Sequence, residues 1–336
     1  VRMDKVLVTG VTGFIGLHCV EQLLRGGYEV RGTVRTESRG AEVVGAMESA
    51  NVDASKLEIV CADLLKDDGW SEAIQGCRYV LHVASPFVLE VPKDENELIR
   101  PAVEGTLRVL KACVGTGVEK VVLTSSFAAI GYGHGDKTLF SEKDWSDPEQ
   151  CSPYPKSKTL AEQAAWAFMA ELPEAERFQL TVLNPVAVTG PMLSDDIGTS
   201  NDLLLQLASG AMPACPKIHM GFVDVRDVAK AHVLAMTDAL TNGERIILSE
   251  NEMFFAGMGK VLRHAGFAKA PTRELPNFMV KFVALFNSQA EGAVPFLGRK
   301  SDIDKSKAKQ HFAWTFVTAE QSALDTVKQL QTMGRL

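Results

Sequence analysis

The sequence has no basic surplus. Its 336 residues hold 35 lysines and arginines against 42 aspartates and glutamates, a formal charge of −7, which leaves no electrostatic footprint for nucleic-acid phosphates. It has no run of ~18 apolar residues, the length a membrane-spanning helix needs. Val1-Arg-Met-Asp4 is too short and too polar for a signal peptide, because the first apolar run is already a strand. The six cysteines (Cys19, Cys61, Cys77, Cys113, Cys151, Cys215) have no paired spacing, so reduced core thiols are expected rather than a disulfide framework or a zinc site. Internal repeats and low-complexity segments are missing too. Together these absences predict a soluble, cytoplasmic protein with no metal, no nucleic-acid partner and no membrane partner. The composition that remains, 46% hydrophobic and 23% charged, suffices for one large domain or two intimately joined ones.

What the chain does have is a strand punctuated by glycines. Val6-Leu-Val-Thr-Gly10-Val-Thr-Gly13-Phe-Ile-Gly16 is a short apolar run followed by helical spacing through Ile15, Cys19 and Leu23, which Gly26-Gly27 ends. Gly10 permits a tight turn, Gly13 lets the backbone approach a pyrophosphate, and Gly16 lets the helix sit close on the sheet. The helix N-terminus then offers free N–H groups to an anion. This is the pattern of a dinucleotide site. The spacing Thr-Gly-x-x-Gly-x-x-Gly resembles the extended branch of the short-chain dehydrogenase/reductase family. That resemblance implies an α/β fold with a doubly wound, mostly parallel Rossmann sheet and a smaller, interleaved C-terminal substrate lobe. It also adds Thr12, Phe14 and Ile15 to the cofactor contacts.

Tyr28-Glu-Val-Arg-Gly-Thr-Val34 reads as the second strand, and the residues leaving it choose the cofactor. NAD sites place a carboxylate about 20 residues past the glycines for the ribose 2′-hydroxyl, whereas NADP sites place an arginine for the 2′-phosphate. Here Arg35 ends the strand and Arg39 follows, able to hold a phosphate or stack on adenine. NADP(H) is therefore preferred, with NAD(H) kept open by Glu37. A third strand, Leu57 to Leu64, ends in Asp63-Leu64; in the family this pair lies beside the adenine, and on physical grounds Asp63 could equally cap the next helix. The fourth strand, Tyr79 to Pro86, should face the cofactor with its carboxyl end, Val83, Ala84 and Ser85 lining the nicotinamide path and Pro86-Phe87 starting the substrate wall. His82, inside an apolar strand, reads as a core histidine.

Lys120-Val-Val-Leu-Thr-Ser125-Ser126 is the fifth strand, and Ser152-Pro-Tyr154-Pro-Lys-Ser-Lys158 opens a helix running through Glu171. Tyrosine and lysine at i and i+4 share a helix face. A free tyrosine titrates near ~10, but an adjacent ammonium, a helix N-terminus and an oxidised nicotinamide favour its phenolate. The pair follows the Thr-Ser-Ser strand end by 28 residues, downstream of the glycine triad. This constellation predicts a catalytic Tyr154 giving its proton to a carbonyl oxygen, with Lys158 tuning it and holding the nicotinamide ribose, and Ser126 donating a hydrogen bond to the same oxygen. Neighbours on a strand point to opposite faces, so only one of Ser125 and Ser126 reaches the substrate. The family's serine is the last hydroxyl before the small residues, here Phe127-Ala-Ala, which implies Ser126. By the same resemblance Thr124 touches the cofactor.

Further stretches narrow the likeness: Val30-Arg-Gly-Thr-Val-Arg35, His82-Val-Ala-Ser-Pro86, Pro101-Ala-Val-Glu-Gly105, Leu183-Asn-Pro-Val186 and Phe222-Val-Asp-Val-Arg-Asp-Val-Ala229. They resemble the dihydroflavonol reductase, cinnamoyl-CoA reductase and microbial aldehyde/ketone reductase branch, from residue 3 to about 330. The resemblance implies that Asn184, Pro185 and Val188 bound the nicotinamide and that 192–207 closes over the substrate. Ile130 stands where dihydroflavonol reductases have asparagine, and Cys-Ser-Pro-Tyr-Pro lacks the tryptophan- and cysteine-containing stretch of cinnamoyl-CoA reductases, so a generic carbonyl reductase is expected. The dinucleotide domain is predicted over 1–183, with 219–250 returning to it, and the substrate lobe over 184–218 and 251–336. Val186 to Pro191 reads as a turn, and Gly131 to Gln150 as a loop. Phe87, Phe127, Ile130, Tyr132, Met192, Leu193, Ile197 and Phe222 are the candidate apolar pocket, for an aromatic or branched carbonyl. Two other readings stay open: a nucleotide-sugar epimerase or dehydratase that retains NAD, weakened by Ala102 where asparagine is usual, and a non-catalytic dinucleotide sensor. A monomer and a homodimer are both consistent with the sequence.

Overall fold

Seven apolar runs become the strands of one parallel sheet. A computed structural model describes residues 4–85, 94–286 and 293–336. Its strands are β1 (Lys5–Val8), β2 (Glu29–Val34), β3 (Leu57–Cys61), β4 (Tyr79–His82), β5 (Lys120–Thr124), β6 (Leu139–Phe140), β7 (Gln179–Pro185), β8 (Ala187–Thr189), β9 (Cys215–Pro216), β10 (His219–Asp224), β11 (Arg245–Leu248), β12 (Asn251–Phe254), β13 (Glu274–Leu275) and β14 (Asp302–Ile303). The large sheet has the order β3-β2-β1-β4-β5-β7-β11, with every pairing parallel.

A sheet covered on both faces needs strands that are apolar throughout, and β1 shows how this is met. Val6 and Val8 face one cluster, with Val20 and Leu23 of α1 (Phe14–Arg25) and Val228 of the helix Val225–Thr237. Leu7 faces the opposite one, with Trp70, Leu110 of the helix Asn96–Cys113 and Ala165 of the helix Pro153–Glu171. Period-two alternation thus splits one strand between two cores. The chain winds outward from β1 to β3 and returns to β4, so the crevice between the carboxyl ends of β1 and β4 is the switch point where such sheets bind ligands.

A third cluster lies beyond the sheet. Leu204 and Leu207 of the helix Thr199–Ser209, Phe222 of β10, Met258 and Leu262 of the helix Phe255–His264, and Ala323 and Val327 of the C-terminal helix Ala319–Thr332 pack together.

Local reading went wrong where pairing is non-local. The stretch 186–191, read as a turn, contains β8, which pairs with β10 through Val188 and Val223. The loop 131–150 contains β6, which pairs with β14 far along the chain. The strand β12 and the helix after it went unread, since β12 is short and half-buried throughout. All six cysteines are free thiols, but Cys61 is exposed, because it ends β3 at the edge of the sheet, and Cys151 is half-buried. No described helix is long and apolar enough to cross a membrane. Among the described residues no cluster of His, Cys, Asp and Glu could hold a metal ion.

Candidate active site

The glycine turn leaves β1 at its carboxyl end. Gly10 has φ +69°, and a Cβ there would lie 2.9 Å from the Cβ of Ala84, so the turn admits no side chain on either count. Thr9 joins the two strand ends: its Oγ1 accepts from Ala84 N at 2.9 Å and shares a 2.8 Å hydrogen bond with His82 Nδ1. At Gly16 a Cβ would stand 2.4 Å from Gly10 O, which is how α1 comes so close to the strand. Gly13 differs. Its nearest neighbour to a built Cβ is 3.4 Å away, it has φ −85°, and no side chain caps the helix it begins. The protein itself does not need glycine here, whereas an anion laid on bare N–H groups would. Thr12, Phe14 and Ile15 are half-exposed around the same helix start, and Val83, Ala84, Ser85 and Val188 are half-buried along the neighbouring strand ends.

Ser126, just past β5, and Tyr154 come together. Ser152 precedes the helix, Pro153 takes its first position, where a missing N–H costs nothing, and Tyr154 is second. The Ser126 hydroxyl lies near enough to that of Tyr154 to favour its ionised form, and Ser126 Oγ accepts from Ala128 N at 3.1 Å. Ser125 points the other way, donating to Glu162 at 2.6 Å, as the alternation of a strand end requires. Lys158 lies one turn on, its Nζ 5.9 Å from the Tyr154 ring centroid and donating to Ser85 Oγ at 2.8 Å.

Electrostatics at this trio depart from the expectation of a favoured phenolate. Burial raises the Tyr154 hydroxyl above its ordinary value, opposed by the nearby Ser126 hydroxyl, because a desolvated phenolate is disfavoured. Burial also lowers the Lys158 ammonium to about 8, opposed by the Glu162 carboxylate. At neutral pH the site therefore holds a neutral phenol beside a protonated amine, a state set to give a proton rather than to take one. His82 fits its core reading: it is fully buried, and burial followed by the Lys158 charge lowers it to about 3.

Several expected contacts lie elsewhere. The Thr124 hydroxyl is committed to His232 Nε2 at 2.6 Å; His232 Nδ1 faces Val228 O, so it carries the proton and Nε2 accepts. The Asp63 carboxylate caps no helix; one of its oxygens accepts from Leu65 N at 3.0 Å in a local turn, as aspartates after strands often do. Leu64 packs over Gly105. Arg39 is held by Glu42 at 2.9 Å, one helical turn on. Arg35 by contrast is exposed and makes no hydrogen bond or ion pair among the described residues. Pro185 is buried as the last residue of β7.

The apolar pocket is the largest correction. Ile130 is fully buried and Phe127 nearly so, packed with Phe140, Ile247 and Ile303, because the β6–β14 pairing covers them. Phe222 is buried in the third cluster. Met192 is buried with its sulfur 3.3 Å from Asn201 Nδ2 and its backbone held by Gln329. Tyr132 is close enough to Tyr154 for their charges to interact, and its ring meets Phe296 edge-on at 5.1 Å. Phe87 and Pro86 lie outside the described residues. Asn184, expected beside the nicotinamide, is instead buried behind Ser126. Beneath it lies a residue that went unread, Glu162, whose signal was its spacing: 154, 158 and 162 repeat at four, on one helix face.

The model of the NAD dependent epimerase/dehydratase family matches residues 6–248. The chain belongs to that family. Among its members, a cinnamoyl-CoA reductase of Medicago truncatula is 36% identical over 281 residues, covering 81% of this chain and 83% of that protein. The NADPH-dependent methylglyoxal reductase of Saccharomyces cerevisiae is 36% identical over 269 residues, covering 73% and 78%. The solved structure of the yeast methylglyoxal/isovaleraldehyde reductase complexed with NADPH superposes with a TM-score of 0.82 at 28% identity, covering 99% of this chain and 100% of that one. The glycine turn and the Tyr154–Lys158 pair thus sit in a fold that a family of oxidoreductases shares.

Proposed function

We propose that this chain is an NADPH-dependent carbonyl reductase that converts an aldehyde or ketone to the alcohol. The observation that carries the reading is the neighbouring Ser126 and Tyr154 hydroxyls with the Lys158 ammonium beside them, at the edge of the sheet where the uncapped glycine turn opens. When bound, NADPH supplies the hydride to the carbonyl carbon. The bare N–H groups of the α1 first turn would hold its pyrophosphate, Lys158 its nicotinamide ribose, and Arg35 its 2′-phosphate. Tyr154 gives its proton to the carbonyl oxygen, while Ser126 donates a hydrogen bond to it and so stabilises the charge that develops there. The half-buried Tyr132 near Tyr154, with Phe296 against it, would offer an apolar wall, and the segments 184–218 and 251–336 would form the substrate lobe. Relatives named for methylglyoxal, isovaleraldehyde and cinnamoyl-CoA support a branched or aromatic carbonyl.

The test is a panel of branched and aromatic aldehydes and ketones, followed by loss of 340 nm absorbance with NADPH and with NADH. Turnover with NADPH supports the reading. Purification with retained NAD and turnover of a nucleotide sugar, without carbonyl reduction, would overturn it.

Two expected outcomes follow from the geometry. Arg35→Ala removes a charge-assisted contact to a phosphate and raises the KM for NADPH by about 10-fold or more, with the KM for NADH unchanged; equal effects on both cofactors would place Arg35 elsewhere. The pH profile of kcat/KM for reduction falls as pH rises through about 8, where Lys158 loses its proton. The reverse oxidation, which needs the Tyr154 phenolate, does not rise through that range, because burial raises the hydroxyl above its ordinary value and loss of the neighbouring ammonium disfavours the phenolate further. The stability sign is distinct: because the folded state holds the Lys158 proton less tightly than the unfolded chain, burying this charge disfavours folding below about 8 and that penalty fades above it.

A further inference from the structure

Glu162 is fully buried and receives four donors on its two oxygens. Oε2 accepts from Ser125 Oγ at 2.6 Å and from Asn184 Nδ2 at 2.7 Å; Oε1 accepts from Arg245 Nε at 2.5 Å and from Trp166 Nε1 at 3.3 Å. A carboxylate has about four lone-pair directions, and these four partners occupy them. Three of these donors come from three neighbouring strands or their ends: β5, β7 and β11. Glu162 itself sits on the helix that carries Tyr154 and Lys158.

The path from this carboxylate to the reacting centre is short. The Asn184 amide spends one hydrogen on Glu162 and the other on Ser126 O at 3.1 Å, so its orientation is fixed and with it the carbonyl of Ser126. Arg245 spends its Nη1 on the carbonyls of Glu142 and Asp144, both at 2.8 Å, and stacks on Trp145 with its Cζ 3.6 Å from the ring centroid. Ser126 stands at the end of one element and Tyr154 at the start of another, and their hydroxyls must stay within hydrogen-bond reach. The Glu162 carboxylate is what spans the two.

We propose that Glu162 is a positioning residue of the reductase: acting through Asn184, it sets the distance between Ser126 and the Tyr154–Lys158 helix face. It touches neither substrate nor cofactor. The proposal rests on the catalytic reading of Ser126 and Tyr154, and it adds a means by which their separation is held.

The experiment uses the full chain with NADPH and whichever aldehyde of the panel the parent reduces fastest. Glu162→Gln turns two acceptor directions into donors that face donors. It is expected to lower kcat by about 10–100-fold, the loss that follows from a displacement of about 1 Å at the reacting centre, with NADPH affinity by fluorescence titration within about 2-fold of the parent. Asn184→Ala breaks the same link further along and is expected to give a similar loss. The double variant should fall no further than about 3-fold below the worse single, because residues sharing one network are not additive. A kcat for Glu162→Gln within 2-fold of the parent overturns the proposal, as does multiplication of the two losses, or a loss of kcat accompanied by an equal loss of NADPH affinity. If Glu162→Gln does not fold, Asn184→Ala decides by the same kcat criterion. Tyr154→Phe separates the two levels: full activity there sinks the catalytic reading itself, whereas an inactive Tyr154→Phe beside a fully active Glu162→Gln sinks only the role of Glu162.

Discussion

Tyr154→Phe is expected to lower kcat by about 10²–10⁴-fold, the usual share of a positioned proton donor, with little change in NADPH affinity. The substitution removes one oxygen and keeps the ring. That oxygen lies near the Ser126 hydroxyl, and losing such a polar contact costs at most about 1 kcal/mol. Against this stands the relief of a hydroxyl held in a dry site, so the thermal midpoint should move by only a few degrees. Nothing else in the described site replaces the lost proton: Ser126 titrates far too high, and Lys158, though protonated at pH 7, is turned to Ser85. Steady-state rates of NADPH oxidation check the first part, fluorescence titration the second, and a thermal melt the third. Activity that survives unchanged would return a non-catalytic role for the dinucleotide site.

The large effects fall on residues that were legible in the sequence because their constraint is local. Strand β1, the turn at Gly10 and α1 are fixed by apolar spacing and by the residue type that takes φ +69° without strain. Tyr154 and Lys158 were legible because a helix places i and i+4 together whatever surrounds it. Ser126 needed one further step, the alternation of a strand end, and the bond from Ser125 to Glu162 supplies the direction that the pattern alone left open. The substrate pocket was not legible. Ile130 and Phe127 are apolar residues near Ser126, and sequence cannot distinguish a wall of a cleft from core beneath it when the cover comes from β14, more than 150 residues later. Glu162 was hidden for a related reason: a carboxylate on a long helix reads as solvated until the donors of three strands are seen around it. Arg39 illustrates the converse, a basic residue well placed for phosphate that a neighbouring glutamate already occupies.

The two inner glycines of the turn should fail in opposite ways. Gly16→Ala puts a methyl carbon 2.4 Å from Gly10 O, and because backbone is on both sides no rotamer can relieve it. Helix and strand must separate, so folding stability is expected to drop by about 3 kcal/mol, the upper end for overpacking, with NADPH binding lost alongside. Gly13→Ala meets nothing nearer than 3.4 Å, and φ −85° suits alanine. Its thermal midpoint should hold or rise slightly, since removing a glycine's freedom from the unfolded chain stabilises by about 0.4–1 kcal/mol where the conformation is compatible. Its NADPH dissociation constant should nonetheless rise by about 10–100-fold, the cost of one or two charge-assisted N–H contacts pushed out of reach. The pair is measured by thermal melts of the free chain and by fluorescence titration with NADPH. A Gly13→Ala chain that binds NADPH as tightly as the parent would mean that the diphosphate does not lie against this turn, because at that position the protein's own packing leaves room for the methyl and only a bound anion would contest it.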